Sequence, residues 1–460
     1  MRLGSPLNSA TPTPSTDHSK TTARTGLAGL LLAATAVCTT AAIAPGTASA
    51  AGTTAYVATT GSDSTGDGSA TRPFKTIQTA VNKAASGSRI VVAAGTYPGF
   101  VVTRDNLTVA AATGAKVLVR GTGTNIVKFD GVVGGGLDGL DVLGSTVQYG
   151  SAVKIDDSSG VKVTRSILHD GLTWGITVVR SSGVSLEDNE VFGNANGIEE
   201  RYASDLVIRG NRIHHNLKPV DSGRGYEGIN FYKSTGKVTV ENNQLWDNRT
   251  HFEVYGASNL LIRNNVTSNG QVMETGTSSG YLCANNVYTR NVSYRGSTAS
   301  NGMILRCASD NLVSHNTFDG FDKFALNVVD GTQGVAYGGS IERLRILNNM
   351  VTGGRALSID NKLPSSVDIN HNLLYNVGST AQYGQYVAYV AGKGNAKTHA
   401  ELVSWTGYQR NGTFASPGYV SASTRDYRLT STSPAIDRGV QGLEPTFLGS
   451  APDLGRYETR

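Results

Sequence analysis

The sequence predicts an all-β solenoid, a right-handed parallel β-helix built as one strand-turn solenoid with an N-terminal capping helix and an asparagine ladder. Three observations predict it. The stretch from Ser151 to about Asn376 repeats itself, as in SAVKIDDSSGVKVTRSILHDG, WGITVVRSSGVSLEDNEVFGN and NGIEERYASDLVIRGNRIHHN. Each copy holds two short strand-type runs around a Ser/Gly/Asp turn, with inward apolar residues alternating, as in Leu206/Ile208, Val238/Val240 and Leu260/Ile262; a period of two is strand periodicity. One corner of each copy is Asn: Asn189, Asn211, Asn243, Asn265, Asn291, Asn316, Asn349 and Asn372, with four of the seven intervals between 22 and 25 residues. A repeat of that length without helices fits one coil of a β-helix, since such units bury their apolar face only by stacking. Stacked amides hydrogen-bond from coil to coil, so the asparagines are read as structural.

In chain order, residues 1–50 read as a secretory signal. Lys20 and Arg24 precede an apolar run from Leu27 to Ala44, and small residues end at Ala50. Val37 before Cys38 speaks against a lipid anchor, and no other stretch is long and apolar enough to span a bilayer. The expected product is secreted, extracellular and monomeric. Arg2, Lys20, Arg24 and Asp17 leave with the leader, so 37 basic and 34 acidic residues remain. That near balance predicts neither a nucleic-acid nor a membrane partner. Cys283 and Cys307 stand about one coil apart and are placed to pair or to remain free.

Residues 51–100 read as an N-terminal cap and first coil: a strand at 53–60, a Gly/Ser/Asp loop, a short amphipathic helix opened by Pro73 with Ile77, Ala80, Val81 and Ala84 on one face, and a strand Arg89–Val92. Asp63 and Asp67 in the loop either bind calcium or belong to a plain surface turn. The segment YVATTGSDSTGDGSATRPFKTIQTAVNKAASGSRIVVAAGTY resembles the cap and first coil of secreted right-handed parallel β-helix proteins. Coils follow over 101–380, interrupted by insertions at Leu217–Tyr226, Gln271–Tyr281 and Gly331–Ser340. Residues 381–460 read as a C-terminal cap; DYRL and SPAID resemble the closing segment of the same proteins, which runs back along the outside, so Asp437, Asp453 and Glu458 are expected to be structural.

Aligning the coils maps one outer face. The third residue of each run gives Lys154, Thr177, Glu199, Asn230, Glu253 and, more loosely, Glu274, Ile304 and Asn327; the fifth gives Asp156, Val179, Arg201, Tyr232, Tyr255 and Arg306; the sixth gives Asp157, Arg180, Tyr202, Lys233 and Gly256. Carboxylates, cations and tyrosines gather over adjacent coils about 4.8 Å apart, beside an insertion carrying Arg224 and Tyr226. Such a face suits several sugar rings with tyrosine platforms, or else it is a solvated ladder of ion pairs.

Two chemistries fit. β-Elimination on a uronic-acid polymer needs a base and a cation to neutralise the carboxylate. Lys233 is the base expected from a pKa depressed by cationic neighbours, Arg201, Arg224 and Arg249 are the neutralisers, and Glu199, Glu227 and Glu253 are candidate ligands of Ca²⁺. EGINFYKS, residues 227–234, resembles the segment around the lysine base of β-helix alginate lyases and related polysaccharide lyases. That resemblance implies Lys233 as base, which the column places beside Arg201, Glu199 and Glu253, although His251 and Tyr255 stand where those enzymes carry an arginine at the next coil. Glycoside hydrolysis is the alternative, through Glu199 and Glu253 two coils apart or Glu253 and Glu274 one coil apart. The substrate side is expected to include Asn230, Tyr232, Tyr255, Arg249, His251, Arg224, Tyr202 and Arg306. The functional expectation is a secreted lyase acting on an acidic polysaccharide; a hydrolase and a non-catalytic carbohydrate-binding β-helix are its alternatives.

Overall fold

The computed structural model describes residues 52–459 except 219–224, 235, 279, 296–300, 322, 331–337, 361–362, 376–385 and 444–445. Arg224 and the leader therefore lie outside the described residues. Those described belong to one unit, Ser49–Arg460.

Three long sheets of 13, 13 and 12 strands run the length of that unit. The chain visits them in rotation, so each strand pairs in parallel with its counterpart one coil away. The first sheet starts at Thr54–Val57, and the second, of short strands, at Gly95–Pro98. The third starts at Phe100–Val102 and holds the six-residue strands Trp174–Val179, Asn196–Arg201, Glu227–Tyr232, Thr250–Tyr255 and Gln271–Gly276. This is a parallel β-helix, as the repeat predicts. Inward apolar residues from all three sheets form a continuous buried core from Ala55 to Leu402.

The corner asparagines form the expected ladder. Asn211 accepts from the Asn189 backbone N–H at 2.9 Å and its side chain at 3.0 Å, and donates to the carbonyl of Leu186 at 2.8 Å and to Asn243 Oδ1 at 3.0 Å. The same pattern runs through Asn265, Asn291, Asn316, Asn349 and Asn372. It begins at Ser166 and ends on Gln409, which accepts the Asn372 N–H at 3.2 Å. A second ladder, Asn194–Asn216–Asn248, follows the corner leading into the third sheet. The copies end in Asn there too, so a second corner alignment would have found it.

The helix Ile77–Lys83 buries Ile77, Ala80 and Val81, as expected, but it starts later than Pro73 suggests. Thr76 is its N-cap, and Asp63 accepts the N–H groups of Lys75 and Thr76 at 2.9 and 3.0 Å. That turns Asp63 from a calcium candidate into a helix-capping carboxylate. At the far end, a second helix, His399–Thr406, with a Thr398/Glu401 capping box escaped the sequence reading. The final strand of the third sheet, Gly394–Ala396, pairs antiparallel. The C-terminal segment runs back over the coils: Tyr427 donates to Asp319 at 2.9 Å, and the Arg456 N–H to Thr317 Oγ1 at 3.2 Å. Asp437 accepts the N–H groups of Ser450 and Ala451, and Asp453 those of Asp437 and Thr459. Cys283 and Cys307 are buried free thiols. No helix among the described residues is long and apolar enough to cross a membrane.

Asn243 is fully buried and has four ladder bonds. Its replacement by Ala strands the Asn211 N–H and the Ile208 carbonyl, so the variant is expected to lose about 2–4 kcal/mol in denaturant unfolding. A loss below about 0.5 kcal/mol would show that the ladder adds little beyond the backbone pairing.

Candidate active site

The outer face of the third sheet is where the aligned columns meet. The pairing runs Lys154–Thr177–Glu199–Asn230–Glu253–Glu274–Ile304–Asn327, which is the expected third-position column. Val179, Arg201, Tyr232 and Tyr255 align as the fifth. The sixth-position residues Asp157, Arg180, Tyr202, Lys233 and Gly256 all take left-handed backbone at the turn, with φ between 46° and 60°.

Glu199 is 2 % exposed. The Trp174 indole N–H donates to it at 2.8 Å, and Arg201 forms an ion pair with it. Arg201 lies over the rings of Trp174 and Tyr232, 5.3 and 5.6 Å from their centroids. Glu227 occupies the first position of its strand and is 1 % exposed. Arg249 stands 3.4 Å from one of its oxygens and lies over Tyr226; the other oxygen has no hydrogen-bond donor. Burial, then the charge of Glu253, pushes the Glu227 carboxyl well above the ordinary range. Glu253 is also raised by burial, tempered by hydrogen bonds from Glu227 and Tyr255. Burial and the neighbouring charge of Glu253 thus favour the neutral form of Glu227. Two close carboxylates in a dry setting cannot both ionise. Burial, followed by the charges of Glu253 and Glu274, raises the Tyr255 phenol. Glu274 accepts from Gln271 at 2.9 Å and pairs with Arg306. Asn230 stands in register between Glu199 and Glu253, and its side-chain oxygen is buried without a donor.

Several expectations need correction. His251 does not face substrate. It is fully buried at an even strand position, with Nδ1 3.3 Å from Asn248 Nδ2, and burial lowers its pKa to about 3. Coils above have glycine at this position, where a Cβ at Gly197 or Gly228 would crowd the asparagine side chains. Strand alternation alone gives residue 251 the parity of the outward Glu253 and Tyr255; the signal that could have found it is the column of glycines stacked above it. Lys233 is not a depressed base. Its ammonium lies 5.0 and 5.4 Å from the ring centroids of Tyr232 and Tyr281. Partial burial works against its charge, but hydrogen bonding to the Tyr232 phenol and the pull of Tyr202 outweigh it and raise the pKa. Tyr202 is 44 % exposed and edge-on to both tyrosines. Of the candidate calcium ligands, Glu199 is engaged by Arg201 and Trp174 and Glu227 by Arg249, and among the described residues no three His, Cys, Asp or Glu converge on a metal position.

Sequence reasoning missed Trp174 and Gln271, whose first-position column was not followed, and Tyr281, which the irregular coil brings against Lys233. It also missed Glu200, an inward neighbour of Val178 and Phe231. Glu200 is fully buried and accepts the Ala203 N–H at 2.6 Å, and burial raises its pKa to about 8.

The right-handed beta helix region family matches residues 90–267 and 227–399. The chain belongs to this family. Among solved structures, pectate lyase Pel9A is similar with a TM-score of 0.54 and 16 % identity, over 89 % of this chain and 96 % of that one. XylC, solved in complex with xylose, is similar with a TM-score of 0.51 and 12 % identity, over 73 % of this chain and 86 % of that one. No curated protein matches the chain. At these identities the likeness establishes a right-handed parallel β-helix and nothing finer.

Glu200 offers a test of the buried electrostatics. The folded chain keeps this proton to about pH 8, whereas an unfolded chain releases it near the ordinary value of 4.5. Its contribution to stability is therefore full below pH 4.5 and is lost as pH rises, by up to about 1.4 kcal/mol per unit, until it levels off above pH 8. The Glu200→Gln variant keeps the acceptor for Ala203 but has no proton to lose. Its stability relative to the unsubstituted protein should rise steadily between pH 5 and pH 8; a constant difference would mean Glu200 is ionised in the fold.

Proposed function

We propose that the protein is a polysaccharide-cleaving enzyme whose outer third-sheet face carries out glycoside hydrolysis, with Glu227 as general acid and Glu253 as its carboxylate partner. The pair of buried carboxyls on adjacent coils, with Glu227 raised by burial and by the charge of Glu253, supports this most. A neutral carboxylic acid at physiological pH is what protonation of a leaving glycosidic oxygen requires, and burial supplies it. Carboxyls on adjacent coils suit double displacement with retention, in which the partner carboxylate itself attacks the sugar, rather than direct attack by water. In that reaction Glu227 protonates the leaving oxygen while Glu253 forms the glycosyl-enzyme bond. Glu227, now a carboxylate, then takes a proton from the water that releases the sugar. Glu199 and Glu274, in register one or two coils away, are held by Arg201 and Arg306 and line the groove.

The substrate proposed is an acidic polysaccharide. Lys233, held charged on tyrosine faces, belongs to no ion pair among the described residues and offers an ammonium to a sugar carboxylate. Residues 1–50, read as an export signal, would deliver the enzyme outside the cell. The row of Arg201, Arg249 and Arg306 favours a second reading, β-elimination, in which a cation acidifies the proton beside a uronate carboxylate.

Incubation with pectate, alginate, xylan and soluble glucans separates the two. Hydrolysis releases reducing ends with no near-ultraviolet absorbance, and the Glu227→Gln variant should lose about 10²- to 10⁴-fold in kcat. The pH profile should fall on its basic side as Glu227 loses its proton and on its acidic side as Glu253 gains one. Lys233→Ala should raise KM more than it lowers kcat. An absorbance rise from unsaturated uronate that vanishes in Lys233→Ala would replace the hydrolytic reading with the lyase.

A further inference from the structure

The groove does not stop at the carboxyl pair. Trp174 aligns with Asn196, whose side chain accepts the Glu227 N–H, so the indole stands in the Glu227 column two coils away. Ser151 aligns with Trp174 one coil further, and Tyr149 lies two residues before it. At about 4.8 Å per coil, the pair Tyr149–Trp174 lies roughly 10–14 Å along the sheet from Glu227. The rings sit 6.1 Å apart, tilted by 37°. The Trp174 N–H is fixed on buried Glu199, which orients the indole. Tyr149 is 57 % exposed and held in left-handed backbone at φ 61°, with its N–H donated to Thr173 Oγ1 at 2.9 Å. Val147 and Leu172 beside it are 37 % and 36 % exposed, and the Leu172 N–H bonds the Ser145 carbonyl at 2.7 Å.

A tyrosine in the left-handed region costs backbone energy, and more than half of it faces solvent. Neither fact helps the fold. The ring does complete an amphipathic surface continuous with the carboxyl row on the same sheet. We infer that Tyr149 and Trp174 form a distal sugar-stacking subsite that takes the C–H face of a pyranose ring in the polysaccharide cleaved at Glu227. The inference rests on the reading of this groove as polysaccharide-active. The chemistry follows from the surroundings. Glu199 and Arg201, the charged groups that touch Trp174, pair with each other, so the platform offers an aromatic face and hydrogen-bonding edges. A short oligosaccharide reacting at the pair ends before the platform, whereas a longer chain reaches it. The platform therefore tightens binding of polymers over short fragments.

Affinity electrophoresis through gels holding xylan, laminarin, polygalacturonate or alginate tests this. The full-length protein is compared with Glu227→Gln, Tyr149→Phe and Tyr149→Asn; asparagine tolerates the left-handed backbone and removes the ring. On at least one polymer, migration of the unsubstituted protein should be slowed. Glu227→Gln and Tyr149→Phe should keep that retardation, and Tyr149→Asn should weaken it about two- to tenfold with an unchanged melting temperature. Equal retardation of Tyr149→Asn overturns the subsite and leaves the cleavage reading standing. Cleavage without retardation on any polymer does the same. Neither retardation nor cleavage on any of the four overturns both.

Discussion

From Ser166 to Gln409 the coils of this molecule are joined by a file of buried amides. The Asn189–Asn372 ladder satisfies, at every step, the backbone N–H of one corner and a carbonyl of the coil before it. A corner is where the chain turns out of one sheet before entering the next, so its backbone groups have no ladder partner of their own. Burying them unpaired would cost free energy at every coil. Asparagine meets that need because its amide donates and accepts along one axis with little side-chain entropy to lose. The ladder also sets register. With the corners locked, residues at the same distance from a corner stack one above another, and columns on the outer faces become continuous.

The candidate site depends on that alignment. Glu199, Asn230, Glu253 and Glu274 lie far apart in the chain but share one column because every coil leaves its corner in phase. Stacking like-charged residues about 4.8 Å apart is unfavourable, and the fold offsets it in two ways. Arg201 and Arg306 pair with the outer members of the row. Beside the row, Glu227 is pushed towards its neutral form by burial and by the charge of Glu253. The raised carboxyl is thus a consequence of dense packing, which Arg249, 3.4 Å from Glu227, offsets only in part.

Irregularities mark the places where the solenoid departs from pure stacking. Tyr281 comes from the coil whose length breaks the period, and it meets Lys233 and Tyr202 across the turn. His251 ends a run of glycines facing the second asparagine file, and it fills the lumen where Gly175, Gly197 and Gly228 leave room for amides. Glu200 carries a carboxyl into the same lumen, where burial raises its pKa to about 8. None of these three residues follows the consensus of its column, and each changes what its neighbours experience.

The amino-acid sequence by itself determined the coil, its period, the amide corner and the outward columns, because these follow from short-range alternation and from repetition, which need no knowledge of distant contacts. It also determined that Glu199, Glu253 and Lys233 share one face. Only the tertiary structure decided what those groups are. Whether Lys233 meets cations or phenols, whether Glu227 is buried beside Arg249 or open to solvent, and whether Cys283 and Cys307 are joined depend on side-chain directions at turns and on irregular coils. A difference of about an ångström there separates an ion pair from a neutral carboxyl, since electrostatic effects scale steeply with distance and burial. Periodicity carries no information at that scale.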